Sequence, residues 1–225
     1  MGGRGGRFVA GSNQITMSEI TTYKILQSEG EGFFKDRGSK FLAFAYHVTN
    51  GEMIREKLEA LRKEYYDARH FCYGYMLGLR QTQFRANDDG EPGHSAGDPI
   101  LGQIRSFGLT NTLVVVVRYF GGTKLGVSGL INAYKTAAAA ALEQSAIVEK
   151  HIVKLLTIRY PYDSTNQVMR LVADHELTVK SQDYQEDCVI VLAVNVPMIN
   201  RIESKLQLLS DTGTEFSREW AEEEE

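Results

Sequence analysis

LVVVVRYFGGTKLGVSGLINAYKTAAAAAL, from Leu113 to Leu142, is the stretch on which the fold turns. Leu113 to Val117 is apolar throughout and mostly β-branched. Such a run reads as a central strand in a sheet covered on at least one face, because a strand with one wet face alternates with polar residues. RYFGGTKLGVSG follows directly, and Leu130 to Leu142 reads as a helix whose alanine run, Ala137 to Ala141, permits close backbone packing. A strand, a Gly-rich turn and a helix N-terminus make a recurrent anion cradle, since exposed backbone N–H groups and the helix dipole both favour negative charge. Its candidate anion or nucleic-acid ligands are Arg118 and Lys124, with Gly121, Gly122, Gly126 and Gly129 shaping the loop. The pattern is neither a Walker A loop nor GxGxxG. Gly126 to Gly129 has the GxxG spacing of a KH backbone clamp, but the same glycines also serve positive φ and close packing. Tyr119 and Phe120 are of the type that stacks on bases, or equally that fills a core.

Upstream, Tyr23 to Leu26, Gly32 to Asp36 and Lys40 to Val48 carry strand propensity, with a turn at Arg37 and Gly38. Glu52 to Tyr66 spaces Met53, Leu58, Leu61 and Tyr65 as the apolar stripe of a surface helix, with Asn50 as its N-cap. Phe71 to Leu79 and Thr82 to Ala86 read as strands, and a helix is expected at roughly Ile100 to Phe107. Arg69 and His70, at the mouth of a strand, are of the type that binds an anion or transfers a proton, although a histidine there commonly serves structure.

Downstream, Glu143 to His151 is the expected boundary to a second pattern. That pattern runs as strand Val153 to Tyr160, helix Ser164 to His175, a hairpin of Leu177 to Tyr184 and Cys188 to Val196 across Gln185 to Asp187, helix Met198 to Leu209, and strand Thr214 to Trp220. The order βαββαβ is the ferredoxin-like split βαβ plan. The expected organisation is therefore a leader or tag at 1–16, an N-terminal α/β sandwich at 17–148, a ferredoxin-like domain at 149–220 and an acidic tail at 221–225, in the α+β class. The leader is Gly-rich and lacks an amphipathic stripe, and the four terminal glutamates repel one another.

Composition narrows the function classes. With 25 Lys and Arg against 29 Asp and Glu, the net charge is −4, so the whole molecule is not a cationic surface for nucleic acid, and only a local basic patch fits. At 43% hydrophobic and 24% charged residues, disordered and fibrous classes are excluded. No apolar run approaches the roughly 20 residues of a membrane span. Cys72 and Cys188 lie far apart without a CxxC spacing and are expected to be buried, which argues against a disulfide framework or a structural zinc and fits a reducing cytoplasm.

The densest reactive cluster is the loop Asp88, Asp89, Gly90, Glu91, Pro92, followed by His94, Ser95 and Asp98. Its carboxylates and His94 are of the type that holds Mg, Mn or Zn, but at neither EF-hand nor HExxH spacing. They are equally of the type that provides a base beside Ser95 or His94. The third reading, a turn or recognition surface, rests on Asp-Asp-Gly as a tight reversal, Pro92 as a bend, and Ser95 or Asp98 as a helix cap.

DRGSKF at Asp36 to Phe41, ARH at Ala68 to His70, DDGEP at Asp88 to Pro92, SAGDPIL at Ser95 to Leu101 and VVVRYFGGTKLGVSGL at Val115 to Leu130 together resemble the IMPACT family, whose bacterial members are the YigZ-like proteins. Gly93-His94-Ser95 stands where members often have a small residue followed by Gly-Thr, and Ser128 where glycine is usual. The resemblance implies an N-terminal domain similar to the second domain of a small-subunit ribosomal protein and a C-terminal domain similar to one in elongation factor G. Eukaryotic relatives regulate translation under amino-acid stress by competing for an activator of an initiation-factor kinase. The extra bacterial-type domain implies that this partner is not simply inherited, and the family brings no established enzymatic activity to transfer. The expected function is thus a cytoplasmic, translation-associated regulator that binds RNA or a ribosome-associated factor through the Gly-rich loop, with Arg69 and His70 nearby, no cofactor and no membrane partner. The alternatives are a metal-dependent hydrolase using Asp88 to His94, or a regulator that binds protein alone.

Overall fold

The computed structural model describes residues 21–184 and 187–222. The expected leader at 1–16, the hairpin tip at 185 and 186 and the last glutamates at 223–225 lie outside the described residues. Two compact units form, one over Thr22–Lys150 and the other from Thr21 and His151 onward.

In the first unit the elements run β1 (Thr22–Leu26), β2 (Gly30–Asp36), β3 (Ser39–His47), α1 (Gly51–Glu64), β4 (His70–Leu77), β5 (Gln83–Asn87), α2 (Gly97–Ser106), β6 (Thr112–Tyr119), α3 (Gly126–Gln144) and β7 (Ile147–His151). Five strands form an antiparallel sheet in the order β2-β3-β6-β4-β5. β6 is central, and its apolar run is buried on both faces. Val114 and Val116 meet α2 and α3, while Leu113, Val115 and Val117 meet α1. This double burial, rather than a parallel sheet, is why the run shows no alternation. β2 and β3 are joined through Arg37 and Gly38, both at positive φ (44° and 81°), the two-residue turn that suits the twist of a hairpin. Asn50 caps α1 by accepting the Met53 N–H at 2.9 Å.

The second unit contains β8 (Val153–Tyr160), α4 (Thr165–Asp174), β9 (Thr178–Tyr184), β10 (Cys188–Asn195), α5 (Ile199–Asp211) and β11 (Ser217–Glu222). Its sheet order is β11-β8-β10-β9, antiparallel throughout. Every second residue of β10 is buried, and these, with Leu156, Ile158 and Tyr160 of β8, pack on Val168, Leu171 and Val172 of α4 and Ile202 and Leu206 of α5. Neither buried cysteine is disulfide-bonded.

Of the boundaries that differ from the sequence expectation, four have an evident physical reason. α3 begins at Gly126, four residues before Leu130, because its first turn carries exposed Val127 and Ser128 and so lacks an apolar signal. α2 begins at Gly97 rather than Ile100, because the carboxylate of Asp88, far upstream, accepts the Gly97 N–H. The expected boundary segment holds β7, which pairs with β1 and is mostly exposed, leaving little pattern to read. β11 runs past Trp220, carried by its backbone ladder with β8 through Glu222.

The doubly covered strand makes a quantitative prediction. Leu113, 0% exposed, is expected to cost about 2 to 5 kcal/mol when cut to Ala, whereas Val127→Ala, at a position 52% exposed, stays within about 0.5 kcal/mol of wild type in urea denaturation.

Candidate functional site

Two sequence motifs, DDGEP and RYFGG, meet at Arg118. The β6 register places Arg118 between Phe41 of β3 and His70 of β4. Its side chain is only 7% exposed, and Nη1 donates to Glu91 Oε1 at 2.5 Å; the Glu91 side chain is 4% exposed. Tyr134 of α3 donates to the same Oε1 at 2.8 Å. The guanidinium carbon lies 5.5 Å from the Phe41 ring centroid and 5.6 Å from that of Phe120. Ser39 Oγ sits 3.5 Å from Nη2 and accepts the Gly121 N–H at 3.1 Å, while Nε has no hydrogen-bond partner among the described residues. The sequence points to Arg118 as a phosphate ligand; instead its charge is matched by Glu91 inside the fold. Gly121 is required here, because a Cβ would fall 1.9 Å from the Gly38 carbonyl carbon and 2.1 Å from the Ser39 nitrogen.

The Asp88 to Asp98 loop is the other half of this knot. Asp89 and Gly90 both take positive φ (39° and 89°), and the Glu91 N–H closes the turn on the Asp88 carbonyl at 2.9 Å. Asp88 accepts the N–H groups of Gly97 (2.8 Å), His94 (2.9 Å) and Ala96 (2.9 Å), so it caps α2 from well upstream of the helix. The expected caps do other things: Ser95 Oγ donates to the Pro92 carbonyl at 2.6 Å, and Asp98 pairs with exposed His94 at 2.6 Å. Burial alone would raise the Asp88 pKa, but the three N–H donors outweigh it and hold the carboxyl below its ordinary value. Asp89 accepts the Phe71 N–H at 2.8 Å and takes Arg62 on both oxygens at 3.2 Å. His70 Nδ1 lies 2.9 Å from the Asp89 carbonyl oxygen. Cys72 Sγ lies 3.0 Å from the Asp88 carbonyl oxygen and 3.3 Å from the Tyr134 hydroxyl; burial, first of all, pushes its thiol pKa up, which leaves it a poor nucleophile. Every carboxylate from Asp88 to Asp98 therefore has a partner within the protein. Among the described residues no three His, Cys, Asp or Glu side chains assemble as a metal-ion set.

What the fold leaves open is the end of the sheet beside this knot. Arg37 in the β2–β3 turn, Lys40 opposite Tyr119, Arg69 before β4 and Lys124 before α3 are all exposed and have no ion pair among the described residues. Arg37 and Lys40 belong to DRGSKF, whose charge is legible in the sequence but whose proximity to RYFGG is not. Phe120 is 58% exposed and, with Val127 and Leu130, lines a cleft of about 370 Å³ that Arg118 and Lys124 also line. α3 starts without a side-chain cap at Leu125, so its first N–H groups are unsatisfied by side chains, and Gly126 there holds φ +74°. Gly126 and Gly129 thus lie in the first turn of a helix and not in a GxxG loop. Gly122, at φ +88°, is exposed. Tyr119 is half-buried and packs on the α1-side core, and its hydroxyl donates to Asp67 at 2.7 Å, a bond that does most to push its pKa up to about 12.

The Impact N-terminal domain matches residues 37–142 of this chain. The chain is 29% identical over 168 residues to the IMPACT family member YvyE of Bacillus subtilis (strain 168), covering 75% of this chain and 77% of the relative. It is 30% identical over 170 residues to the IMPACT family member YigZ of Escherichia coli (strain K12), covering 75% and 83%. The crystal structure of a hypothetical protein superposes with a TM-score of 0.62 at 27% identity, over 92% of this chain and 99% of that chain.

Two stability predictions come from the knot. Glu91→Ala leaves Arg118 charged, buried and unmatched and is expected to cost about 3 to 5 kcal/mol, whereas Glu91→Leu/Arg118→Met recovers most of the loss; a double-mutant cycle by urea midpoint measures this. Asp88→Ala removes a cap and is expected to cost about 1 to 2 kcal/mol at neutral pH. Because the folded pKa is depressed, that contribution is complete above the ordinary aspartate value of about 3.9 and disappears as pH falls through the folded pKa. Unfolding titrations of both proteins from neutral to acid pH should therefore converge, and a constant gap would refute the assignment.

Proposed function

The chain belongs to the IMPACT family, and from that premise we infer that it is a translation-associated regulatory protein that binds RNA or a ribonucleoprotein. The contact surface is the end of the five-stranded sheet, which carries Arg37, Lys40, Arg69 and Lys124, with exposed Phe120 lining one cleft with Lys124 and the N-terminus of α3 left without a side-chain cap. This convergence, from three separate loops, of cations without an ion pair among the described residues is the observation that carries the reading. Four local charges on a chain of net charge −4 form a patch suited to following a phosphate backbone while the rest of the surface repels it. In this reading the Thr22–Lys150 unit is the IMPACT-type domain and the unit from His151 onward the ferredoxin-like one.

Arg118 and His70 serve differently from Lys124 and Arg69. The first two hold the loops in place, and the latter two face the ligand. The hydrolase alternative gains no support from geometry, since its carboxylates cap a helix, close a turn or match buried Arg118. Among the described residues no helix is long and apolar enough to cross a membrane.

Fluorescence anisotropy of labelled RNA across a salt series tests the proposal. Wild type is expected to bind with a steep log–log salt slope. In Lys40→Ala/Arg69→Ala/Lys124→Ala the slope should become shallower by about one for each phosphate the variant no longer neutralises. Absence of binding at low salt, or an unchanged slope in the triple variant, would move the function to a protein partner.

A further inference from the structure

The α1 face of the sheet carries a feature that the loop surface does not use. Side chains two apart on a strand share a face, and on β4 this sets Tyr73 and Tyr75 side by side. Their rings are parallel to within 8° with centroids 6.5 Å apart, and both remain half-buried. α1 packs over β3, β6 and β4 but leaves the edge strand β5 uncovered, where Arg85 stands opposite Tyr75 and is exposed. The resulting groove of about 360 Å³ is lined by the two tyrosines, Arg55, Arg62 and Arg85, with Glu59 as its one acid.

The arginines differ in availability. Arg62 is committed to Asp89 and lies over the Phe71 ring at 4.8 Å. Arg55 meets Glu52 only at 3.4 Å, with both side chains at least 67% exposed, a pair that water and salt readily separate. Arg85 has no ion pair among the described residues. Two half-buried aromatic rings that pack on the α1-side core and line the groove, flanked by two available guanidinium groups, match the chemistry of an unpaired nucleotide, which presents a flat π-surface beside a phosphate. A duplex offers the phosphates alone, because its base faces are already stacked.

We propose that this groove is a single-stranded RNA platform, on which unpaired bases stack against Tyr73 and Tyr75 while Arg85 and Arg55 hold the adjoining phosphates. It rests on the reading of the protein as an RNA binder but uses no residue of the loop surface. Oligouridine thus engages two surfaces, and duplex RNA one.

The test is anisotropy with the full chain, using labelled oligouridine and an RNA duplex of equal length. Wild type should favour oligouridine. Tyr73→Leu/Tyr75→Leu should lose about fivefold or more in oligouridine affinity for each stack removed, with little change for duplex, while Tyr73→Phe/Tyr75→Phe keeps the rings and the affinity. Arg85→Ala, on an exposed edge strand, should make the single-strand salt slope shallower by about 0.7, which keeps the proposal testable if the leucine pair fails to fold. Wild-type oligouridine binding by both Arg85→Ala and the leucine pair overturns the platform. So does equal affinity for duplex, or displacement of oligouridine by oligoglutamate as effective as by unlabelled oligouridine. If the loop triple variant loses binding while the groove variants keep it, the platform fails and the loop reading stands. The reverse pattern supports the platform and removes the loop, and no RNA binding by wild type removes both.

Discussion

The buried pair between Arg118 and Glu91 is the constraint on which the rest of the first unit depends. A guanidinium and a carboxylate removed from water each lose several kcal/mol of solvation, and their attraction offsets this only if geometry and further hydrogen bonds are good. The Tyr134 hydroxyl on the Glu91 oxygen, the Ser39 hydroxyl near the guanidinium and two phenylalanine rings beside it supply that surrounding. Each partner arrives from a different element: Arg118 from the central strand, Glu91 from a loop, Tyr134 from the long helix, Ser39 from the start of β3. Satisfying one charge therefore fixes four segments relative to one another. The orphaned Nε marks the one guanidinium donor for which the described residues provide no match.

The same constraint decides which polar residues remain available to a ligand. A loop bearing four acidic residues and a histidine within eleven positions has the composition of a catalytic or metal site, yet each of its acids is committed to a partner within the protein. Asp88 caps α2, Asp89 ties β4 to the turn, Glu91 neutralises Arg118, and Asp98 takes His94. Residues of apparently modest interest, Lys40 and Arg37 in a hairpin, are among those whose charge stays at the surface without an ion pair among the described residues. Function is then read from what the fold leaves available, and here that is cationic and aromatic, at one end of the sheet and on its α1 side.

How much is legible in the sequence follows from the range of the interactions involved. Leu113 to Val117 as a central strand, Asn50 as a cap and Asp-Asp-Gly as a reversal are readable because propensity, capping and turn chemistry act over a few residues. The βαββαβ order after His151 is readable from hydrophobic periodicity, which burial imposes on each strand and helix separately. The start of α2 is not, since the acceptor that organises it lies at Asp88, beyond an intervening loop, and the start of α3 is hidden by an exposed, apolar-poor first turn. β7 escapes the pattern because a short, mostly exposed strand carries no alternation.

Charge is where sequence and tertiary structure diverge most. Arg118 beside a Gly-rich turn reads as a phosphate ligand when its only known neighbours are Tyr119 and Phe120. Glu91 lies 27 residues from Arg118 in the chain and 43 from Tyr134, and only the folded sheet brings the three together. The sequence by itself determined the family, the central strand and, β7 apart, the element order, since local propensity and burial pattern are written residue by residue. Tertiary structure alone decided which cations are matched inside the fold and which stay at its surface, because pairing depends on distances between segments that no local pattern encodes.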